Sequence, residues 1–103
     1  MAQKTTIQIG VPQITKSEHG TPCPTAVLTS QGPRENYRVL RAAMYRLAAA
    51  VEDATPTGEG WVVVVAHDSD LRARVYMELV HGNLGEERRA LAVLAHAVKQ
   101  FNA

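Results

Sequence analysis

The middle of the chain carries a run that is too β-branched to favour a helix and too short to cross a bilayer: Trp61-Val62-Val63-Val64-Val65-Ala66. Valine loses side-chain freedom against the preceding helical turn but packs well on a pleated surface. The run lies between Gly58 and Gly60 on one side and His67-Asp68-Ser69-Asp70 on the other, so it reads as a central strand with both faces covered. A strand cannot stand alone. The rest of the sequence must therefore supply its neighbours and the layers that cover it.

The next segment supplies the first neighbour. Leu71, Ala73, Val75, Met77 and Leu79 alternate with Arg72, Arg74, Tyr76 and Glu78, the two-residue period of a strand, which fits better than the alternative helix that would gather Leu71, Val75, Leu79, Tyr76 and Val80 with Arg72 in their midst. With Asp68-Ser69 as turn residues, 61–67 and 71–80 form an antiparallel hairpin. Upstream, Thr5, Ile7, Ile9 and Val11 alternate with Thr6, Gln8 and Gly10, which predicts a strand over 4–11; Thr25-Ala26-Val27-Leu28-Thr29 is a second β-compatible run beyond the Gly20-Thr21-Pro22-Cys23-Pro24 breaker.

Two segments have helical spacing instead. Over 34–54, Leu40, Ala43, Met44, Leu47, Ala50, Val51 and Ala54 recur three and four apart, after Gly32-Pro33 and before Thr55-Pro56-Thr57-Gly58. Over 85–101 the stripe is Leu91, Leu94, Ala97, Val98 and Phe101, with Asn83 and Glu86 at capping-box spacing. The order β-β-α-β-β-α predicts an α+β fold, a small antiparallel sheet with two amphipathic helices on one face. Residues 1–32, rich in Pro, Gly, Thr and Ser, read as an extended segment (strands, arm or mobile tail) and 33–103 as the compact domain. On that division, removing 1–32 either dissociates an oligomer or changes nothing.

With 103 residues there is room for one core only. Eleven basic against ten acidic side chains leave a formal charge of +1, so any attraction for a polyanion has to be local. The single cysteine, Cys23, and an N-terminal stretch without an apolar signal region point to the cytoplasm. Arg outnumbers Lys eight to three and Ala and Val are abundant, a bias that fits a bacterial or phage source.

The most informative chemistry lies on the first helix. Arg34, Tyr37, Arg38, Arg41 and Tyr45 are spaced to share one face opposite the apolar stripe, and Arg46 adds a fourth guanidinium. Arginine makes bidentate bonds to carboxylate or phosphate and tyrosine gives rigid contact area, the pair that interfaces favour. The expected role is a small non-enzymatic interaction or regulatory protein, of inhibitor or adaptor type, that binds a protein partner through these residues. A nucleic-acid module clamping phosphates with the same helix is the alternative: Pro33 to Leu47 carries a net +3. Arg72, Arg74 and Tyr76 form a secondary patch, with internal charge pairing as its plainer explanation.

Other chemistries are less well supplied. His19 with Cys23, or His67 with Asp68 and Asp70, lack the paired ligand spacings of a structural metal site, and no cofactor motif is present. A small enzyme with Cys23 as nucleophile is the third reading, but no base is placed beside it by spacing. A sheet with exposed edges and a modest core favours homo-oligomerisation, and no segment suits a membrane.

Overall fold

The computed structural model describes residues 6–17, 19–32, 37–55, 60–80 and 86–102. Its elements are β1 (Thr6–Ile9), β2 (Gln13–Lys16), β3 (Pro22–Gln31), α1 (Tyr37–Ala54), β4 (Trp61–Ser69), β5 (Arg72–Leu79) and α2 (Glu87–Asn102). All strand pairs are antiparallel, in the order β1-β3-β5-β4 with β2 also on β3. The fold is α+β with both helices packed on one face, as the alternating patterns require.

β1 and β2 are two halves of one broken edge strand. Ile9 faces Leu28 and Gln13 faces Thr25, so Gly10, Val11 and Pro12 stand opposite only Ala26 and Val27, which is a one-residue bulge. The Gly10 amide still donates to the Val27 carbonyl at 3.0 Å. β2 lies between the strand expected over 4–11 and the breaker at 20–24, where the sequence alone gives no strand, and β3 begins at Pro22, inside that breaker and three residues before the β-compatible run. Pro22 and Pro24 are tolerated because the Ser30 amide, and by strand alternation those of the other even positions, points toward β5. The β3–β5 ladder starts only at Thr25↔Tyr76, just past the missing donor of Pro24.

Residues 6–31 are therefore built into the sheet, with β3 in its interior. Ala26 and Leu28 of β3 join Ala73, Val75 and Met77 of β5 beneath Leu40, Met44, Leu47 and Val51 of α1 and Leu94 and Val98 of α2. Ile7, Ile9, Trp61, Val63, Val65 and Phe101 pack around them. Ala48, not Ala50 or Ala54, completes the α1 stripe: the latter two lie on the exposed side. In α2 the buried set is Ala90, Leu94, Ala97 and Val98, with Leu91 and Phe101 half-buried.

Three local expectations change. β4 is an edge strand, not a central one, and the sheet face away from the helices leaves Val62 43% exposed. The β4–β5 turn falls at Asp70-Leu71, because Asp68 is the extra residue of a bulge between His67↔Ala73 and Ser69↔Arg72. Finally, the Glu86 carbonyl accepts the Ala90 amide at 3.1 Å, so Glu86 itself stands at the helix entry and not at the third helical position. Asn83 lies outside the described residues.

Candidate partner-binding face

α1 turns its aliphatic side inward for the reason its sequence predicts, and this fixes what points out. Of the expected contact residues, Arg34 lies outside the described residues. Tyr37, Arg38, Arg41, Tyr45 and Arg46 are all exposed, Tyr45 by 49%. None of Arg38, Arg41 and Arg46 is paired with a carboxylate among the described residues.

Tyr37, Arg41 and Arg46 make aromatic contacts instead. The Tyr37 ring stacks on His67 at the end of β4, with centroids 6.4 Å apart and planes at 29°. The Arg41 guanidinium lies 5.7 Å from the Tyr45 ring one turn on. Arg46 is on the other flank of the helix, 4.9 Å over the Phe101 ring of α2. Such contacts hold a guanidinium by its face at about 0.5–1 kcal/mol each and leave its N–H edge available to an acceptor.

On the Arg46 flank runs a groove of about 380 Å³ whose lining includes Ile7, Val39, Ala42 and Phe101 together with Arg38 and Arg46. The sequence reading missed it. Val39 was its available signal, a β-branched apolar residue that stands outside the helix's buried stripe and is 43% exposed. Phe101 could not be placed there from spacing, because α2 reaches α1 only through tertiary packing.

The charge order along the helices separates α1 from α2. In α2, Glu87 occupies the first turn and Lys99 the last, which complements the helix dipole. In α1 there is no acid in the first turn and no base in the last; Arg38 lies near its start and Glu52 and Asp53 near its end. Each such charge is worth about 0.3–1 kcal/mol, so α1 gives up local stability for a cationic start.

The second patch, on the open face of the sheet, is organised differently. The bulge at Asp68 brings its carboxylate to two arginines of β5. Arg74 donates through Nε and Nη2 at 2.8 and 2.9 Å, and Arg72 through Nη1 at 2.8 Å. Arg74 also lies 5.6 Å from the Tyr76 ring. The hydrogen bonds from Arg74, helped by the positive charges around it, hold the Asp68 carboxyl below its ordinary range, and Asp68 in turn raises Arg74.

Because the folded carboxyl is the more acidic one, its contribution is complete at neutral pH and fades as pH falls from about 4 through the lower folded value. Arg72 is half exposed, so solvent screening keeps the effect small. Asp68→Asn is expected to cost about 0.5–1 kcal/mol at neutral pH, and thermal melts of the two proteins should converge in acid. A gap that persists unchanged there would show that the ion pairs are not its source.

Beside this cluster lies a cleft of about 370 Å³ under the β2–β3 loop, lined among others by Lys16, His19, Tyr76 and Glu78. Cys23 is at its floor, 2% exposed, its Sγ donating to the Thr21 carbonyl at 3.6 Å. Burial, and secondly the negative charge of Glu78, push the thiol up and away from the thiolate form. The Thr25 hydroxyl bonds the Cys23 carbonyl at 2.9 Å and meets the Thr15 hydroxyl at 2.7 Å. Among the described residues no three His, Cys, Asp or Glu side chains gather as a metal would need. No described helix is long and apolar enough to cross a membrane. Comparison with protein-family models, with curated proteins and with solved structures gave no match.

Proposed function

We propose that this chain is a small non-enzymatic binding protein of inhibitor or adaptor type, and that the outward face of α1 takes an acidic protein surface. The observation that carries the reading is the contrast between its two Arg/Tyr patches. On the sheet the guanidinium groups of Arg72 and Arg74 bond Asp68. On α1, among the described residues, Arg38, Arg41 and Arg46 have no carboxylate partner, Arg41 and Arg46 lie against aromatic rings, and Arg38 and Arg46 line an apolar groove. A hydrophobic floor edged by arginine is the anatomy of a protein interface, with an energetic centre that excludes water and a charged rim. Phosphate clamping needs the arginines but has no use for Val39 and Phe101. The reversed charge order of α1 supports the same reading, because a local stability rule is broken where a surface is reserved for a partner.

The Arg38→Ala/Arg41→Ala protein should fold as the parent does, since exposed changes of this kind cost under about 0.5 kcal/mol. Its capture of a partner from nuclease-treated extract of the source cells should be lost. Retention of the same partner would remove the face from consideration. Nucleic-acid binding by the same helix predicts instead that nuclease abolishes capture, and that affinity falls steeply with salt.

Arg38→Glu separates stability from binding on one residue. Bringing an acid to the start of α1 should raise the unfolding free energy by about 0.3–1 kcal/mol, read by denaturant titration, while weakening the partner complex. A variant both less stable and equally well bound would contradict the assignment.

A further inference from the structure

The sheet has two edges, and they are treated in opposite ways. The β1/β2 edge is cut into two four-residue pieces by the Gly10-Val11-Pro12 bulge and carries Lys16 at its end. Short pieces, a bulge, proline and lysine are the devices that stop an edge from recruiting another strand. β4 has none of them over Trp61–His67: seven regular residues without proline or a carboxylate, lysine or arginine, paired among the described residues to β5 alone.

The hydrogen-bonding direction of that edge can be read from the ladder. The Val80 amide donates to the Gly60 carbonyl at 2.8 Å, so even-numbered β4 residues face β5 and the N–H and C=O groups of Trp61, Val63, Val65 and His67 face outward. Their side chains lie on the helix side, and Val62, Val64 and Ala66 lie on the open side. The edge is self-complementary. Turned about an axis at Val64, Val63 meets Val65 of a second copy and Trp61 meets His67, each as a hydrogen-bonded pair. On the open side Val62 meets Ala66 and Val64 meets Val64.

We propose that β4 pairs antiparallel with β4 of a second copy of this chain across a two-fold axis at Val64, joining two five-stranded sheets into one. Charge fits this direction. Arg74 faces Ala66 and Glu78 faces Val62, so the antiparallel pair sets the cluster of Arg72, Arg74 and Asp68 of one copy, which keeps one net positive charge, in the same row as Glu78 of the other. A parallel pair of two β4 edges would turn the open face of one copy to the helix side of the other and lose that match. The register uses the whole regular stretch and stops where the Asp68 bulge disrupts the edge. The α1 arginines take no part, so the Arg38→Ala/Arg41→Ala protein keeps the pairing and the two proposals fail separately.

Sedimentation of the full chain at micromolar concentration tests this, with an expected mass of twice 11.2 kDa. Val64→Lys and Val64→Glu each put like charges opposite one another at the axis, and each should raise the dissociation constant by about tenfold or more. Their equimolar mixture should recover the dimer, which a folding defect would not do. Amide exchange in the unmodified chain gives an independent reading: Val63 and Val65, whose amides point away from β5, should exchange as slowly as Val62 and Val64. A monomeric parent chain overturns the proposal, as does a Val64→Lys protein that remains dimeric. So does a dimer whose Val63 and Val65 amides exchange freely, because its contact lies elsewhere.

Discussion

Leu47→Ala is expected to lower the unfolding free energy by about 2–5 kcal/mol. Leu47 has no solvent exposure and lies at the middle of the α1 stripe, over a sheet whose facing residues Ala26, Leu28, Ala73, Val75 and Met77 are equally buried. Three features make relaxation around the missing atoms poor. The sheet beneath is pinned by ladders on both sides of β3 and β5. The neighbouring α1 positions Ala43 and Ala48 are small and cannot extend into the space. Val51 is too stiff at χ1 to do so. For a domain whose whole stability is about 5–15 kcal/mol, a loss of this size takes a large share. At about 4–8 °C per kcal/mol for chains near this length, the melting temperature should fall by about 10 °C or more. A near-neutral melt would mean that α1 presents another side to the sheet, and the outward face would then have to be redrawn.

Removal of residues 1–31 should abolish cooperative folding, contrary to what their composition suggests. Deletion takes away β3, which pairs on one side with β1 and β2 and on the other with β5. It also removes Ala26 and Leu28 from the floor under both helices and Ile7 and Ile9 from its margin. What remains is a two-stranded hairpin and two helices with a long uncovered apolar stripe, below the three strands that a sheet of this kind needs. The truncated chain is expected to show no cooperative thermal transition by circular dichroism. A sharp melt from residues 32–103 would show that the first strands are an appendage to a self-sufficient core.

The parts of this fold that were legible in the sequence are those governed by short-range periodicity. The alternation of Ala73, Val75 and Met77 with Arg72, Arg74 and Tyr76 is a property of the pleat, and the spacing of Leu40, Met44, Leu47 and Val51 is a property of the helix. Both survive in the folded chain unchanged. What could not be read is anything fixed by pairing between distant segments. The valine run of β4 has the composition of a central strand, but its place at the edge is decided by β3, which takes the inner side of β5 through Thr25 to Thr29. Pro22 and Pro24 argue against a strand on local grounds. They are admitted because their nitrogens face the side where the β5 ladder has not yet begun. At the candidate face, the outward direction of Tyr37, Arg38, Arg41 and Tyr45 followed from spacing; the groove beside them did not, since Ile7 and Phe101 come from opposite ends of the chain.

The proposal that the outward cationic side of α1, opposite its inward aliphatic side, binds a protein is tested most directly by backbone amide chemical shifts, followed as the chain is titrated with a short Leu- and Glu-bearing peptide and, separately, with a short oligonucleotide. The expected result with the peptide is a set of shifts at Arg38, Val39, Ala42, Arg46 and Phe101 that persists when salt is raised severalfold, with weak, salt-sensitive effects from the oligonucleotide. Peptide shifts that cluster instead at Arg72, Arg74 and Tyr76, or an oligonucleotide that binds the helix more tightly than the peptide does, would contradict it.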